Sequence, residues 1–274
     1  MANLIKTALN RSLAEKLPKI EEIEAFGIEG EESIFRTLYQ GFDCVIRNPV
    51  VPHKNLYLEK DFAVLHRGVW FVLEVKHWKG KICLENGEFY QKKQNGTQKK
   101  QKSPVGTTRQ FIDKMRSFYQ IEAPVFGIVV FGDTDCSIDL PPEMDGILLL
   151  RAKDLVAKLN SLSRAHRSTL SVDPSRVLRC TRFYSKESEF CKGVLADCYF
   201  DCEAPDGSIV RIDTGCLRYL SVEPQPLLLR DKLYLTYTNG ATDIFYNRDT
   251  ILTVACLDGS FCKLSISRMK HIVF

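Results

Sequence analysis

Two carboxylates and a lysine stand at the ends of two neighbouring apolar segments of this sequence. Asp61 opens the segment 61–66, and Glu74 and Lys76 close the segment 69–76. Two acids can hold a divalent cation such as Mg²⁺, which prefers oxygen ligands and retains several waters. A neighbouring ammonium group can stabilise an attacking hydroxide or a charged phosphate. These residue types therefore indicate metal-assisted hydrolysis of a phosphodiester.

One β-hairpin would bring these charged residues together. Both segments are rich in β-branched and aromatic residues, and Arg67-Gly68 between them predicts a tight turn. A symmetric loop at this place puts Asp61 opposite Glu74. Because side chains alternate between the faces of a strand, Lys76 then shares their face, and the two carboxylates lie roughly 5 Å apart.

A purely structural interpretation of the same residues stays open. Glu-x-Lys tripeptides are common, and an exposed ion pair contributes little free energy. The charges nevertheless interrupt an apolar run in which solvent-facing positions, such as Trp70 and Val72, would be expected to be polar. A charged residue at the end of a buried apolar run is costly unless it has a charged partner or a functional role. The position of these charges therefore favours a functional site.

The composition indicates a globular protein with an uneven distribution of charge. The chain has 274 residues, of which 45% are hydrophobic and 26% charged, enough for two domains. The net charge is only +4, but eight lysines and arginines lie between Gln91 and Arg116 against a single acid, Asp113. This segment is therefore the first candidate for binding a polyanion.

Neither a secretory signal nor a membrane span is expected. Residues 1–26 carry spaced apolar side chains suited to an amphipathic helix. The ten cysteines are then interpreted as reduced thiols in a cytoplasmic protein. Zinc binding is an alternative for Cys198 and Cys202, with Cys191 and Cys216 nearby, although paired Cys-x-x-Cys motifs are missing.

The predicted elements divide the chain into an α/β domain and a smaller β-rich domain. Residues 27–162 predict a helix, an antiparallel hairpin, a helix, two buried strands and a helix, the pattern of a three-layer α/β domain. Residues 163–180 are polar and basic and are interpreted as a linker. Residues 181–274 show short alternating stretches between turn signals. The turns Asp206-Gly207-Ser208 and Asp258-Gly259-Ser260 lie 52 residues apart, which favours a duplicated or barrel-like module.

Two local predictions concern residues near the candidate site. Glu31 follows Gly27 and Gly30 and precedes apolar residues at helical spacing, so it is expected in the first turn of a helix, where the dipole favours acids. The segment 91–103 is polar, rich in lysine and glutamine, and without periodicity. It is expected to form a mobile loop, and the next helix is expected to begin at Pro104.

The chain resembles the nuclease-related domain family, NERD, over about residues 27–162. The residues that carry the resemblance run in order from Gly30-Glu31 through Asp61 and Glu74-Val75-Lys76-His77-Trp78-Lys79-Gly80 to Ser103-Pro104. That family belongs to the PD-(D/E)XK restriction-endonuclease-like superfamily. The resemblance implies a three-layer αβα core with a mixed sheet, followed here by a small β-rich, barrel-like domain that it does not cover.

The resemblance also implies a role for each charged residue. Asp61 and Glu74 would bind Mg²⁺ or Mn²⁺, and Lys76 would stabilise the nucleophile or the charged phosphate. Glu31 would be an auxiliary ligand or an acid that orients water. These four residues are the expected catalytic set.

Further residues are assigned more weakly. Gln110 is a displaced counterpart of a glutamine usual in the family, and His77 stands where a small polar residue is expected. Capture of nucleic acid is assigned to two lysines that follow Lys76 and to the lysines of the segment 91–103, all of which would contact phosphates. They are Lys79, Lys81, Lys92, Lys93, Lys99, Lys100 and Lys102.

The function expected from the sequence is that of a Mg²⁺-dependent nuclease, a hydrolase of low sequence specificity, in defence or repair. DNA is favoured over RNA as the substrate. The alternative is a catalytically inactive module that binds nucleic acid and recruits a protein partner through the β-rich domain. No membrane partner is expected, and the oligomeric state is open.

Overall fold

The computed structural model of the protein describes residues 20–78, 80–93, 96–132, 136–169, 173–186, 190–225 and 230–274. They form a mixed α/β region followed by a β-rich module. Over these residues, no helix is both long enough and apolar enough to cross a membrane.

The α/β region contains three long helices among the described residues: α1 (Ile20–Gly41), α2 (Pro104–Tyr119) and α3 (Leu155–Ala165). Its strands are β1 (Cys44–Arg47), β2 (Val50–His53), β3 (Leu56–Glu59), β4 (Phe62–His66), β5 (Val69–Lys76), β6 (Gly80–Glu85), β7 (Glu88–Lys92), β8 (Gln98–Gln101), β9 (Val125–Phe131), β10 (Cys136–Asp139), β11 (Glu143–Met144) and β12 (Ile147–Arg151).

A mixed six-stranded sheet in the order β1-β4-β5-β9-β12-β11 forms the centre of this region. β9 pairs in parallel with both β5 and β12, and the other pairs are antiparallel. A parallel pair needs a crossover connection, and α2 lies in the one between β5 and β9. Because β9 lies in the interior of a covered sheet, it reads as a continuous apolar run.

Helices cover both faces of this sheet. On one face Phe111 of α2 packs in the same cluster as Trp70. On the other face Leu38 of α1 and Leu159 of α3 pack around Phe71. All five side chains are fully buried, and each such burial contributes roughly 1.5–3 kcal/mol to stability. The helix and sheet layers predicted from the sequence are therefore present.

β4 and β5 form the predicted hairpin. Leu65 pairs with Trp70, and the turn residues Arg67-Gly68 have φ angles of 53° and 77°. Two left-handed residues in a two-residue loop match the right-handed twist of the strands. Extending this register by one residue beyond β4 places Asp61 opposite Glu74, as the sequence analysis expected.

The segment 91–103 is not the loop that its composition suggested. Residues 98–101 form β8, which pairs with β7 so that Gln101 lies opposite the buried Phe89. These strands belong to a second sheet in the order β10-β6-β7-β8. The first three residues of β8 are exposed, so no apolar alternation marks the strand, and backbone pairing with β7 holds it in place.

Glu31 does not lie in the first turn of a helix. α1 begins at Ile20 and continues through Gly27 and Gly30, so Glu31 lies in the interior of the helix. The amphipathic helix expected at residues 1–26 falls mostly outside the described residues, which begin at 20. The two glycines suggested a break, but a single glycine costs a helix only about 1 kcal/mol, and packing against the sheet outweighs that cost.

The β-rich module is one ten-stranded sheet in the order β16-β15-β19-β18-β17-β22-β13-β14-β20-β21. Its strands are β13 (Thr181–Ser185), β14 (Phe190–Leu195), β15 (Tyr199–Glu203), β16 (Ile209–Asp213), β17 (Leu217–Glu223), β18 (Lys232–Tyr237), β19 (Thr242–Asn247), β20 (Ile251–Cys256), β21 (Phe261–Ser265) and β22 (Met269–Val273).

The two halves of this module are structural repeats that exchange strands. β13–β17 correspond to β18–β22, and each repeat has a 3₁₀ turn before its last strand, at Thr214–Cys216 and Ile266–Arg268. If each strand is replaced by its equivalent in the other repeat, the strand order of the sheet is the same read from the opposite edge. A pseudo-two-fold axis therefore passes between β17 and β22. The turns at Asp206 and Asp258 are also equivalent, since each aspartate accepts a 2.9 Å bond from the serine N–H two residues later.

The duplication expected from the sequence is therefore present, but the barrel is not. In the described residues β16 and β21 are edge strands that do not pair with each other, so the ladder stays open. The exchange explains this: β15 pairs with β19 and β14 with β20, each from the other repeat. Each repeat therefore extends its ladder with a strand of the other repeat and does not pair its own outer strands into a closed barrel.

The segment expected to be a linker, 163–180, is tied to the α/β region. The Leu178 N–H donates to the Tyr119 hydroxyl at 2.9 Å, and that hydroxyl donates to the Val50 carbonyl at 3.0 Å. Cys180 packs with Val50 in a small buried cluster at the junction. The two parts of the chain therefore share hydrogen bonds and apolar contacts.

Candidate active site

A cleft of about 590 Å³ opens where β4, β5 and α2 meet the β-rich module. Its charged lining consists of the cations Lys60, Lys76, Lys102, Arg182 and Lys192 and the acids Glu59, Asp61 and Glu74. Cations outnumber acids, so the cleft suits an anionic substrate.

Backbone hydrogen bonds hold Lys60 and Asp61 at the start of β4. The Lys60 N–H donates to the Pro49 carbonyl at 3.1 Å, and the Asp61 carbonyl accepts from the Asn48 N–H at 3.0 Å. The Asp61 carboxylate accepts a 2.6 Å bond from the Val75 N–H, so β5 fixes its orientation.

Asp61 has a strongly perturbed acidity. Burial, together with the charges of Glu74 and Glu31, raises the pKa of its carboxyl to about 7. Nearby like charges and burial both disfavour the ionised form of an acid. A divalent cation beside this group would reverse that preference.

Glu74 lies between two ammonium groups. Lys60 Nζ is 2.7 Å from one carboxylate oxygen, and Lys76 Nζ binds the other. Burial acts to raise the pKa of Glu74, but Lys76 and Lys60 outweigh it, so the pKa is lowered. Glu74 is therefore ionised at neutral pH.

Lys60 is a site residue that the sequence analysis did not identify. Only 4% of the residue is exposed, and Nζ also donates to the Thr107 hydroxyl of α2 at 3.1 Å. A lysine is rarely this buried without a charged partner. Lys60 lies between two strands, where no periodicity marks it, so its contact with Glu74 becomes visible only in the fold.

Glu31 lies beside the site without lining the cleft. Its carboxylate is 3.6 Å from the Arg182 guanidinium. Burial raises the pKa of Glu31 despite the opposing charges of Arg182 and Arg47. In the described residues, the ligand atoms of Glu31, Asp61 and Glu74 do not all lie within 4.8 Å of one another.

The β-rich module contributes two cations that the sequence analysis also missed. Arg182 of β13 lies 3.6 Å from Glu59 and donates to the Asn48 side chain at 3.1 Å. Lys192 of β14 lies 2.5 Å from the other Glu59 oxygen. Both residues are more than a hundred positions from Glu59 in sequence, so only the packing of the two parts reveals their proximity.

His77 points to the opposite face of the sheet from Lys76. Its ring packs against Gly30 of α1, where an added Cβ would lie 2.1 Å from Nε2, and against Gly132. Burial, together with the charge of Lys76, lowers the pKa of His77. His77 therefore does not line the cleft, whereas Gln110 does.

The candidate nucleic-acid-binding lysines are in different environments. Lys102 lines the cleft, whereas Lys93 and Lys99 are exposed on the β7–β8 hairpin. Lys79 lies outside the described residues. Three others are ion-paired, at 2.8, 2.5 and 2.5 Å: Lys81 with Asp139, Lys92 with Glu85 and Lys100 with Glu88.

The donor chemistry at Asp61 and Glu74 fits a hard divalent cation. Both residues offer carboxylate oxygens, which Mg²⁺ prefers. Burial and the neighbouring acids Glu74 and Glu31 raise the pKa of Asp61, so a bound cation would favour its ionised form. Lys60 and Lys76 hold Glu74 in its ionised form, which is the form a cation needs.

Comparison with known proteins identifies the first part of the chain. Residues 26–132 match the family model described as the nuclease-related domain, NERD, and this range contains Glu31, Asp61, Glu74 and Lys76. No family model matches the C-terminal region. Neither the curated proteins nor the solved structures gave a match. The match to the nuclease-related domain therefore covers the part of the chain that holds the acids of the cleft, and the β-rich module lies outside it.

Proposed function

We propose that this protein is a Mg²⁺-dependent nuclease that hydrolyses phosphodiester bonds of nucleic acid in the cleft around Asp61 and Glu74. The observation that carries the proposal is the pairing of two neighbouring acids with opposite pKa shifts in a cationic cleft of a nuclease-related domain. A mixed sheet between two helical layers supports a restriction-endonuclease-like core. Mn²⁺ would replace Mg²⁺, since both take oxygen ligands.

Each residue has a separate role in this proposal. Asp61 and Glu74 would hold the cation, which would supply positive charge to the phosphate and lower the pKa of a water molecule. Lys76 pairs with Glu74, and its side chain, which is 25% exposed, lines the cleft and would contact the phosphate. Lys60 is buried and acts as a positioning residue, because it fixes Glu74 against α2.

The lining of the cleft supports a substrate recognised through its backbone. Lys102, Arg182 and Lys192 offer phosphate contacts, which position a nucleic acid without reading its bases. The proposed specificity is therefore low, with DNA preferred over RNA. Such an activity suits cytoplasmic defence against foreign nucleic acid, or repair.

A cleavage assay on a panel of substrates tests the proposal. Purified protein is incubated with end-labelled single- and double-stranded DNA and RNA, with Mg²⁺, with Mn²⁺ or with EDTA. Cleavage is expected only with a divalent cation, and Asp61→Ala and Lys76→Ala should each reduce it by at least about 100-fold, because each removes charge stabilisation in the transition state.

Asp139→Ala is the matched control for these variants. It removes an exposed acid on the edge strand β10, outside the cleft, where Asp139 pairs with Lys81. It should retain wild-type cleavage. Full activity in both Asp61→Ala and Lys76→Ala would refute the proposed site.

A second candidate function is a binding module that does not cleave. The observation that favours it is the occupation of both Glu74 oxygens by lysines, together with the fact that Glu31, Asp61 and Glu74 do not all lie close enough to share one ion. In that case nucleic acid should bind equally well with EDTA and with Mg²⁺, and no product should form on any substrate. A pull-down would then identify the partner of the β-rich module.

A further inference from the structure

Three cysteines converge in the β-rich module, away from the acids of the cleft. Cys191 lies on β14, Cys256 at the end of β20 and Cys262 on β21. Their sulfurs are 3.8, 3.8 and 3.5 Å apart. In the part of the chain that the structure describes, this is the one group of three His, Cys, Asp or Glu residues whose ligand atoms lie within 4.8 Å of one another.

The register of three adjacent strands brings these thiols to one face. β14 pairs Gly193 with Cys256, and β20 pairs Val254 with Cys262. Because side chains alternate along a strand, Cys191 shares the face of Gly193, and Cys256 shares the face of Val254. The cluster therefore joins a strand of the first repeat to two strands of the second.

The separations of the sulfurs match those around a tetrahedral zinc ion. Zn–S bonds are about 2.3 Å long, so two thiolates at tetrahedral corners lie about 3.8 Å apart. A disulfide would bring two sulfurs to about 2.05 Å. All three separations, at 3.5–3.8 Å, have the length of edges of one tetrahedral face.

The pseudo-symmetry of the module provides an internal comparison. The positions equivalent to Cys191, Cys256 and Cys262 in the other half of the sheet, 52 residues away, are Asp243, Ala204 and Val210. Those strands, β19, β15 and β16, form the same ladder without any of the three thiols. The fold therefore does not require cysteine at these places, and their concentration in one half needs another reason.

We propose that Cys191, Cys256 and Cys262 form a zinc site, with the fourth corner of the tetrahedron taken by water. Soft thiolates select Zn²⁺ over Mg²⁺, so this site and the acidic site do not compete for the same ion. The site differs from the pair suggested by sequence spacing: Cys198 is exposed, and the thiol of the buried Cys202 donates to the Val210 carbonyl.

The proposed zinc site lies next to the junction with the α/β region. Leu257 follows Cys256, lines the cleft, and accepts a 3.0 Å hydrogen bond from the Tyr57 N–H. At the tip of the same hairpin Gly259, with φ of 84°, lies so close to the Asn55 carbonyl that a Cβ would be 1.9 Å from it. Zinc would thus fix the strand end that forms one wall of the cleft.

Metal analysis of the full-length protein tests the proposal. Protein purified under reducing conditions without chelator should contain about one zinc ion per chain by inductively coupled plasma mass spectrometry. Cys256→Ser should lower this to less than about a tenth, because two thiolates hold zinc far more weakly than three. Cys198→Ser, which changes an exposed cysteine of the same module, should retain the ion. Asp61→Ala should also retain it.

A second measurement on the wild-type chain does not depend on the folding of any variant. The metal-free, reduced protein is alkylated with iodoacetamide with and without Zn²⁺, and the modified peptides are quantified by mass spectrometry. Zinc should protect Cys191, Cys256 and Cys262 and leave Cys198 and Cys216 reactive. Equal alkylation of the three cysteines with and without Zn²⁺ would overturn the proposal.

Discussion

Asp61 and Glu74 lie opposite each other on one hairpin, yet their surroundings shift their pKa values in opposite directions. Both lose hydration. Glu74 is compensated by two ammonium groups, whereas Asp61 meets the charges of Glu74 and Glu31. Neighbouring acids with separated pKa values are typical of sites that bind metals or transfer protons.

The raised pKa of Asp61 predicts that Asp61→Asn stabilises the metal-free protein at high pH. The folded protein binds a proton at Asp61 more tightly than the unfolded chain, so stability falls as pH rises from 3.8 to about 7. Without divalent cations at pH above about 8, the free energy of unfolding of the variant should exceed that of the wild type by up to roughly 4 kcal/mol, since the shift spans about three pKa units of about 1.4 kcal/mol each. Urea denaturation across this pH range measures the difference.

Asp43→Asn is the control for this experiment. Its carboxylate accepts a 2.9 Å bond from the Arg67 N–H, and that bond lowers its pKa, so the amide should bring no gain at high pH. Mg²⁺ should raise the stability of the wild type and leave Asp61→Asn unchanged. A variant at Asp61 that is no more stable than the wild type at high pH would contradict the assigned shift.

The residues that sequence could supply are those on one hairpin. Asp61 and Glu74 follow from turn chemistry and the two-residue period, both of which are local. Lys60, Arg182 and Lys192 could not be found in this way, because they reach the cleft from a strand connection and from another part of the chain. Contacts between residues far apart in the chain leave no local pattern in the sequence from which they could be predicted.

At the scale of elements, the contact between α1 and the end of β5 depends on a glycine. The His77 ring lies where a Cβ on Gly30 would be, at 2.1 Å from Nε2. Glycine has a low helix propensity, yet α1 continues through Gly30. Glycine is needed at this position because any side chain would overlap the histidine ring. The same two glycines misled the sequence analysis about where the helix begins.

Gly30→Ala should therefore destabilise the wild type and stabilise a His77→Ala background. In the wild type the new methyl group displaces the histidine ring, at a cost of about 1–3 kcal/mol for an overpacked site. In the His77→Ala background the clash is gone, and alanine should gain about 1 kcal/mol over glycine in a helix. Thermal unfolding of the four proteins measures both signs.

Gly106→Ala provides the comparison for an unobstructed helical glycine. It lies in α2 with no atom within 4 Å of the added Cβ, so it should stabilise the protein in either background. If Gly30→Ala behaved like Gly106→Ala in the wild type, the packing of His77 against α1 would be wrong.

The strands of the β-rich module were predictable, whereas β8 was not. The module alternates apolar and polar residues between turns such as Asp206-Gly207-Ser208, and most of the predicted stretches became strands, although β13, β19 and β22 were not among them. β8 is exposed over its first three residues, so its pairing with β7 left no trace in hydrophobicity. The two repeats were visible in the sequence, but the exchange of strands between them was not. Pairing within one repeat and pairing between the repeats would bury the same faces of the strands.

At the scale of the whole molecule, one hydroxyl group joins the two parts of the chain. The Tyr119 hydroxyl bridges the Val50 carbonyl and the Leu178 N–H. Burial raises the pKa of Tyr119 to about 12, so the group stays protonated and keeps its donor.

Tyr119→Phe should lower the free energy of unfolding by about 1–3 kcal/mol, because it leaves a carbonyl and an N–H at the junction without their partner. Tyr39→Phe, at a tyrosine that is 49% exposed, should change it by less than about 0.5 kcal/mol. Chemical denaturation followed by fluorescence measures both. Equal effects would mean that water replaces the hydroxyl at the junction.

The cations of the β-rich module should contribute to substrate binding across the junction. Lys192→Ala should weaken binding of duplex DNA and reduce the slope of log Kd against log salt by about 0.9, the value for one phosphate contact. Lys270→Ala, an exposed lysine of the same module that does not line the cleft, should leave the slope unchanged. Fluorescence anisotropy at several salt concentrations distinguishes the two variants. An unchanged slope in Lys192→Ala would show that the β-rich module does not contribute this phosphate contact.

Strand exchange also sets the order in which the chain can fold during translation. β14 cannot complete its ladder until β20, which carries Cys256, has left the ribosome. Until then the first repeat presents an unpaired edge, and such edges recruit other nascent chains on the same message. A ribosome stalled within the second repeat should therefore hold a nascent chain that chaperones retain, whereas release of the last strand, β22, which pairs with β13 and β17, completes the sheet.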